Sequence, residues 1–266
     1  MKETLIEALK SSGSILLDYY NKPLETFEKE SQSSVVTEAD FESDRAITSI
    51  IRNRFPGHNL ISEESGFIDN KSEYTWIIDP LDGTSNFASG IPWFGVLITL
   101  LRGMLPVIGG AYLPVQDLLY WAEESKGAFR NNEPVKIRNN PDLRNSLFAF
   151  SVDYTEDEPF LDHGMKIYKY IVRHSRNIRS TNSLIDFLYV AEGKFGGCIN
   201  LFTKVWDIAG LGLIISEAGG VMTLLDGGKI EFNINNELST QNFPVIAGSE
   251  AIAGSLKDIF SDKNQP

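Results

Sequence analysis

Cysteine is nearly absent from this chain. Cys198 is the single one in 266 residues, so no intramolecular disulfide can form. A lone thiol suits a reducing compartment. It lies in the apolar stretch FGGCINL and reads as a packing residue. Histidine is scarce too: His58, His163 and His174 have no second ligand at metal spacing, which argues against zinc. Positive charge is in deficit, with 24 Lys and Arg against 36 Asp and Glu and a formal net charge of −12. Nucleic acid and anionic membranes both select a basic face, so neither is expected as the main partner. An anionic small substrate stays compatible, because bound metal reverses the sign of the field at one site. No run approaches the roughly 18 apolar residues of a membrane span. The N-terminal MKETLIEALKSSG mixes acids with helical spacing and lacks the apolar centre of a signal peptide. These absences predict a cytoplasmic protein.

What is present is an ordinary globular composition, 42% hydrophobic and 23% charged. At this length it supports one large domain or two closely joined subdomains. Leu5, Ile6, Leu9, Ser12, Leu16 and Leu17 recur at helical spacing and predict an amphipathic helix that stops near Asn21 and Pro23. Residues 24–36 alternate around a polar SQSS turn and predict a hairpin. Thr37 then stands as an N-cap with Asp40 in the capping-box position, opening a helix that runs to Phe55. Strands are predicted at 59–62, 74–79, 95–101, 106–113 and 118–122. The second half predicts a strand at 146–152, a helix at 157–173, a strand at 176–180, a helix at 183–192 and a strand at 195–201. A helix from Asp207 to Gly219-Gly220, strands at 221–225 and 244–247 and a helix at 250–260 complete it. The mixture predicts a layered α/β or α+β protein. The loops around 139–145 and 226–242 are the candidate boundaries.

The most informative stretch is WIIDPLDGTSNF, from Trp76 to Phe87. An apolar strand empties into Asp79, Pro80 and Asp82, and then into Gly83, Thr84 and Ser85. Two carboxylates around a proline repel each other unless a cation lies between them. The proline fixes the turn, so both side chains and the carbonyl of Leu81 can converge on one point. Oxygen donors of this kind suit Mg²⁺ or Mn²⁺. A helix starting at the glycine would turn free N–H groups toward the same point and seat a phosphate. Such a pair supports metal-assisted attack of water on a phosphate ester. Further acids stand at element ends: Glu63 and Glu64 after NLIS, Asp207 opening a helix, Asp40 at another helix start. Taken alone, each also reads as a helix cap or a solvated charge. No histidine lies near Cys198 or a serine in sequence in a way that supports a nucleophilic triad.

In these residues the chain resembles the inositol monophosphatase family of Mg²⁺-dependent, often lithium-sensitive phosphatases. SEES (62–65), WIIDPLDGTSNF (76–87) and VWDIAGLGLIISEAGG (205–220) carry the likeness, in the family's order and spacing, with VVTEAD (35–40) and PVIAGS (244–249) in support. The resemblance implies an αβαβα sandwich of the type shared with fructose-1,6-bisphosphatase. It implies one phosphatase domain over 1–266, built of two subdomains at about 1–140 and 141–266, with the metal site between them. By the same resemblance, Glu63, Asp79 and the carbonyl of Leu81 bind a first Mg²⁺, and Asp79, Asp82 and Asp207 bind a second. Glu63 would also face a weaker third ion through water. Thr84, oriented by Asp40, would hold the attacking water. Gly83 and Thr84 would offer backbone N–H groups to the phosphate, with Ser85 beside them. Glu64 would stand behind the metals, and Lys29 matches a mobile loop lysine near them. A homodimer is implied, acting on a small phosphorylated polyol or sugar such as inositol 1-phosphate.

The chain departs from the pattern where the substrate alcohol would lie. Asn200 occupies a position where many inositol-selective members carry glutamate. The segment 177–193 is one residue short of the family's Arg-x-x-Gly-Ser block, with Asn182 or Ser183 in place of Gly-Ser. Either is a candidate substrate contact, with a helix cap the alternative reading. Fructose 1,6-bisphosphate and 3′-phosphoadenosine 5′-phosphate are alternative substrates. Their second phosphate or nucleotide would call for a basic cluster, which Arg173, Arg176 and Arg179 could provide. A non-catalytic metal-dependent binding or regulatory module is the reading from another class. The complete set Glu63, Asp79, Asp82, Thr84 and Asp207 weighs against it.

Overall fold

The apolar runs become strands of two large sheets in the computed structural model, which describes residues 1–20, 22, 27–28, 35–138, 142–235 and 237–260. Helices α1 (Lys2–Tyr19) and α2 (Glu38–Arg54) come first, flanking the antiparallel pair β1 (Phe27–Glu28) and β2 (Val35–Val36). That pair is the described part of the expected hairpin. Next come β3 (Asn59–Ser62), β4 (Gly66–Ile68), β5 (Tyr74–Asp82) and the short helix α3 (Thr84–Ala88). Strands β6 (Gly95–Arg102), β7 (Leu105–Leu113), β8 (Leu118–Glu123), β9 (Gly127–Arg130) and β10 (Glu133–Pro134) complete a sheet in the order β10-β9-β8-β7-β6-β5-β3-β4. The second half supplies β11 (Leu147–Ser151), α4 (Glu158–His174), β12 (Asn177–Arg179), α5 (Leu184–Ala191) and β13 (Phe195–Asn200). It ends with α6 (Val205–Glu217), β14 (Val221–Leu224), β15 (Val245–Gly248) and α7 (Glu250–Phe260). Its five strands run in the order β12-β11-β13-β15-β14. Strands β4, β9 and β10 are too short and irregular in pattern to have been expected.

Period-2 alternation distributes side chains between layers. Trp76 and Ile78 of β5, with Val96, Ile98 and Leu100 of β6, pack beneath Leu5, Leu9 and Leu16 of α1 and Ile47 and Ile51 of α2. Each fully buried leucine on α1 contributes about 2 kcal/mol. Their neighbours Ile77, Leu97 and Leu101 face the opposite way. They join Leu184, Leu188, Ile208 and Ile214 of α5 and α6, and Cys198, Val245 and Ala247 of the second sheet, in the largest core. Cys198 is buried there, as its apolar surroundings predict. Phe148, Phe150, Ile199 and Ile246 cover the far face, against Ile167 and Ile171 of α4 and Ile252 and Leu256 of α7. The layers are helix, sheet, helix, sheet, helix, which is the expected αβαβα sandwich. Both faces of both sheets are covered, which explains strands that read as continuous apolar runs. Among the described residues no helix is long and apolar enough to cross a membrane.

Candidate active site

Strand β5 stops being regular where its two aspartates begin. Its pairing with β6 runs Asp79↔Leu97 and then Asp82↔Gly95, so an extra residue is accommodated around Pro80 and Leu81. In an unbroken strand Asp79 and Asp82 would face opposite sides of the sheet. The bulge re-aims them toward one another. Leu81 N–H closes the turn onto Asp79 Oδ1 at 3.0 Å, and Ser43 Oγ of α2 donates to the Pro80 carbonyl at 2.7 Å. Glu63 follows the end of β3, which runs parallel to β5, and its N–H donates to the Ile78 carbonyl at 3.2 Å. Two parallel strand ends therefore deliver Glu63 and Asp79 to one cleft.

Asp207 comes from the first turn of α6, where its Oδ2 accepts the Lys204 N–H at 2.6 Å. Helix α6 reaches the cleft by packing very close to the large sheet. A Cβ added at Gly210 would stand 2.4 Å from Thr99 Oγ1, and one at Gly109 would stand 2.8 Å from Gly210 Cα. Only glycines allow that approach. Carboxylate oxygens of Asp79, Asp82 and Asp207 then lie within 4.8 Å of one another.

Gly83 turns the chain with φ +82°, and a Cβ there would sit 2.6 Å from the Trp93 carbonyl oxygen. Thr84, the first residue of α3, places Oγ1 2.9 Å from the Leu81 carbonyl oxygen and 3.2 Å from Asp40 Oδ1. Its single proton goes to one of these acceptors, and its lone pairs can still accept from a further donor. Asp40 is buried on α2, and its Oδ2 accepts Thr37 N–H at 2.8 Å and Thr37 Oγ1–H at 2.7 Å. The capping box legible at Thr37–Asp40 is thus also what aims Asp40 at Thr84.

Among the described residues lining the cleft, acids outnumber cations. Burial, then Glu63, Asp82 and Asp207, pushes the Asp79 carboxyl well above the usual range. Burial and Asp82 do the same to Asp207. Asp82 rises to about 7, chiefly by burial, with the Leu184 N–H opposing the shift and Glu63 adding to it. Among the described residues lining the cleft, Lys204 is the one cation, and its Nζ donates to the Thr240 carbonyl at 2.9 Å. An all-oxygen set of converging acids fits Mg²⁺ or Mn²⁺.

The cleft holds about 770 Å³ and is lined by Leu81, Gly83, Thr84, Ser85, Asn182, Ser183 and Asn200 as well as the acids. Asn200 Oδ1 accepts the Phe202 N–H at 3.0 Å, so its amide NH₂ is the group left to offer a ligand. Ser183 is the N-cap of α5, and its Oγ lies 3.0 Å from Thr181 Oγ1. Asn182 takes φ +49° and donates from Nδ2 to Asp153 Oδ1 at 2.7 Å. Its left-handed backbone explains how asparagine stands where the family pattern has glycine. Glu64 does not line the cleft, and Lys29 lies outside the described residues. Arg173, Arg176 and Arg179 are exposed and do not line it either. Asp153, Tyr154, Phe187, Trp206 and Asn242 line it without having been singled out from sequence. Asp153 had a signal: like Glu63, it is a carboxylate just past the end of an apolar strand.

The inositol monophosphatase family model matches residues 1–261. A protein of Aquifex aeolicus named fructose-1,6-bisphosphatase/inositol-1-monophosphatase is 33% identical over 82% of this chain and 83% of its own length. The Nus factor SuhB of Pasteurella multocida is 32% identical over 86% of each chain. Among solved structures, the extragenic suppressor protein SuhB from Bartonella henselae superposes with a TM-score of 0.88 at 26% identity, covering 99% of both chains. The chain belongs to the inositol monophosphatase family and is a metal-dependent phosphatase hydrolase of that kind.

Proposed function

We propose that this phosphatase hydrolyses the monoester of a small phosphorylated polyol or sugar, with inositol 1-phosphate the first substrate to test. The observation that carries the reading is the convergence of Asp79, Asp82 and Asp207 within 4.8 Å, beside a Thr84 hydroxyl bonded to Asp40. Glu63, Asp79 and the Leu81 carbonyl would hold one Mg²⁺, and Asp79, Asp82 and Asp207 another, with Mn²⁺ a substitute and a third ion facing Glu63. When bound, such ions activate water and neutralise charge on phosphate oxygens. The chain's own part is positional. Asp40 holds Thr84 so that its Oγ1 can accept from the attacking water, and Gly83, Thr84 and Ser85 border the phosphate. Asn200, Asn242, Asn182 and Asp153 offer polar partners for hydroxyl groups, while Phe187 and Trp206 offer apolar walls for a ring.

The name of the Aquifex relative favours fructose 1,6-bisphosphate as a second substrate, although Arg173, Arg176 and Arg179 stand away from the cleft. A Mg²⁺-dependent substrate panel tests the proposal. Inositol 1-phosphate should exceed a generic aryl phosphate in kcat/KM. If it does not while a bisphosphate does much better, the first substrate is wrong. Lithium inhibition, a cytoplasmic location, a homodimer and a division near residue 140 belong to the same reading. Inhibition at millimolar lithium, cell fractionation, light scattering and limited proteolysis check them in turn.

A further inference from the structure

Helix α2 touches the site with more than Asp40. One turn further on, Asp44 lies on the same helical face and is 5% exposed. Its Oδ1 accepts the hydroxyl of Ser62 and, at 3.2 Å, that of Ser65. Ser62 and Ser65 bracket Glu63 and Glu64, so a single carboxylate oxygen grips both ends of the segment that carries Glu63 into the cleft. Between Asp40 and Asp44 on the helix, Ser43 bonds Ser12 of α1 at 2.6 Å and the Pro80 carbonyl at 2.7 Å. The same face of α2 thus anchors Thr84, the Asp79–Asp82 turn and the Glu63 loop.

We propose that Asp44 is a positioning residue for metal binding, fixing Glu63 through Ser62 and Ser65. The inference rests on the reading of Glu63 as a metal ligand. The physical argument is that Glu63 follows the last residue of β3 and begins a turn, where the strand ladder ends. Ordering the backbone of such a segment about a cation costs conformational entropy. Holding the backbone at both ends lowers that cost before the metal arrives. Such supporting contacts typically govern metal affinity by about tenfold or more.

The test measures Mn²⁺ binding by calorimetry and the half-saturating Mg²⁺ concentration for phosphatase activity. Wild type must first bind Mn²⁺ and show Mg²⁺-dependent turnover. Failure there removes the phosphatase reading itself and not the role of Asp44 alone. Given that, Asp44→Ala should weaken Mn²⁺ binding and raise half-saturating Mg²⁺ by about tenfold, with substrate KM at saturating metal within about twofold of wild type. Asp44→Asn keeps an acceptor oxygen and should recover most of the affinity. Ser65→Ala, at an exposed position, removes one of the two bonds and should give a smaller shift in the same direction. It decides the matter if Asp44→Ala does not fold. Unchanged metal affinity in a folded Asp44→Ala, or in Ser65→Ala if that variant is the one that folds, overturns the inference. So does an Asp44→Asn as impaired as the alanine variant, because charge and not the clamp would then be the cause.

Discussion

The backbone N–H of Leu184 donates to Asp82 Oδ1 at 2.7 Å, joining residues 102 positions apart. Leu184 is the first residue of α5, so the positive end of a helix from the second half of the chain rests on a cleft carboxylate from the first. Asp82 is thereby aimed by one half of the chain and carried by the other.

Replacing either carboxylate should separate activity from stability. Asp82→Asn keeps an oxygen for Leu184, and Asp207→Asn keeps one for Lys204. Each should lower kcat/KM by about a thousandfold or more, as loss of a contact to transition-state charge does. Without metal at pH 8, each should also raise Tm by about 2–4 °C, because one of several repelling charges has gone. Near-normal turnover in a purified variant would remove that residue from the metal site.

The metal-free protein should lose stability as pH rises. Asp82 titrates near 7 in the fold against 3.8 for an ordinary aspartate, and Asp79 and Asp207 are shifted the same way. The folded state binds more protons than the unfolded chain in that window. Its contribution from these groups is therefore fully present below 3.8 and is lost as pH passes about 7. Thermal melts in a chelator should fall between pH 5 and pH 8, and Mg²⁺ should reverse the fall. Mn²⁺ affinity should climb across pH 6–8 with proton release, since metal and proton compete for the same oxygens. Calorimetry in buffers of different ionisation enthalpy reads this directly. A flat profile defeats the prediction.

Gly83 should not tolerate a side chain. Its φ of +82° costs an alanine about 1–2 kcal/mol by itself, and the contact of 2.6 Å with the Trp93 carbonyl must be relieved in addition. Gly83→Ala is expected to lose about 3 kcal/mol in urea unfolding and to displace Thr84. Wild-type stability with full activity would show that the turn relaxes freely.

Glu192 should matter for stability although it lies outside the cleft. It caps the far end of α5 and accepts from Arg130 at 3.0 Å, from Lys194 at 2.5 Å and from the Tyr120 hydroxyl. Burial pushes its carboxyl up, but these three partners outweigh that and hold it below the usual range. Its contribution is thus present at neutral pH and lost on acidification through that lowered value. The cations are partly exposed, which reduces the worth of the pairs. Glu192→Ala should cost about 2 kcal/mol by urea denaturation at pH 7. A cost under about 0.5 kcal/mol would class the cluster with ordinary surface pairs.

Much of this molecule was legible in local sequence because the causes are local. Apolar spacing predicted α1 and nearly every long strand, Thr37 and Asp40 announced their capping box, and Asp79-Pro-Leu-Asp82 announced a carboxylate corner. The short strands β4, β9 and β10 escaped, since pairing with a neighbour and not their own pattern makes them strands. In WIIDPLDGTSNF the sequence determined which acids and which glycine stand there, but not where those acids point. The bulge against β6, the Gly109–Gly210 approach that carries Asp207 in, the Leu184 N–H on Asp82 and the Asp44 grip on Ser62 and Ser65 all depend on distant residues meeting. Only tertiary structure decided them, because hydrogen bonds and charge repulsion act over a few ångströms of space, whatever the separation along the chain.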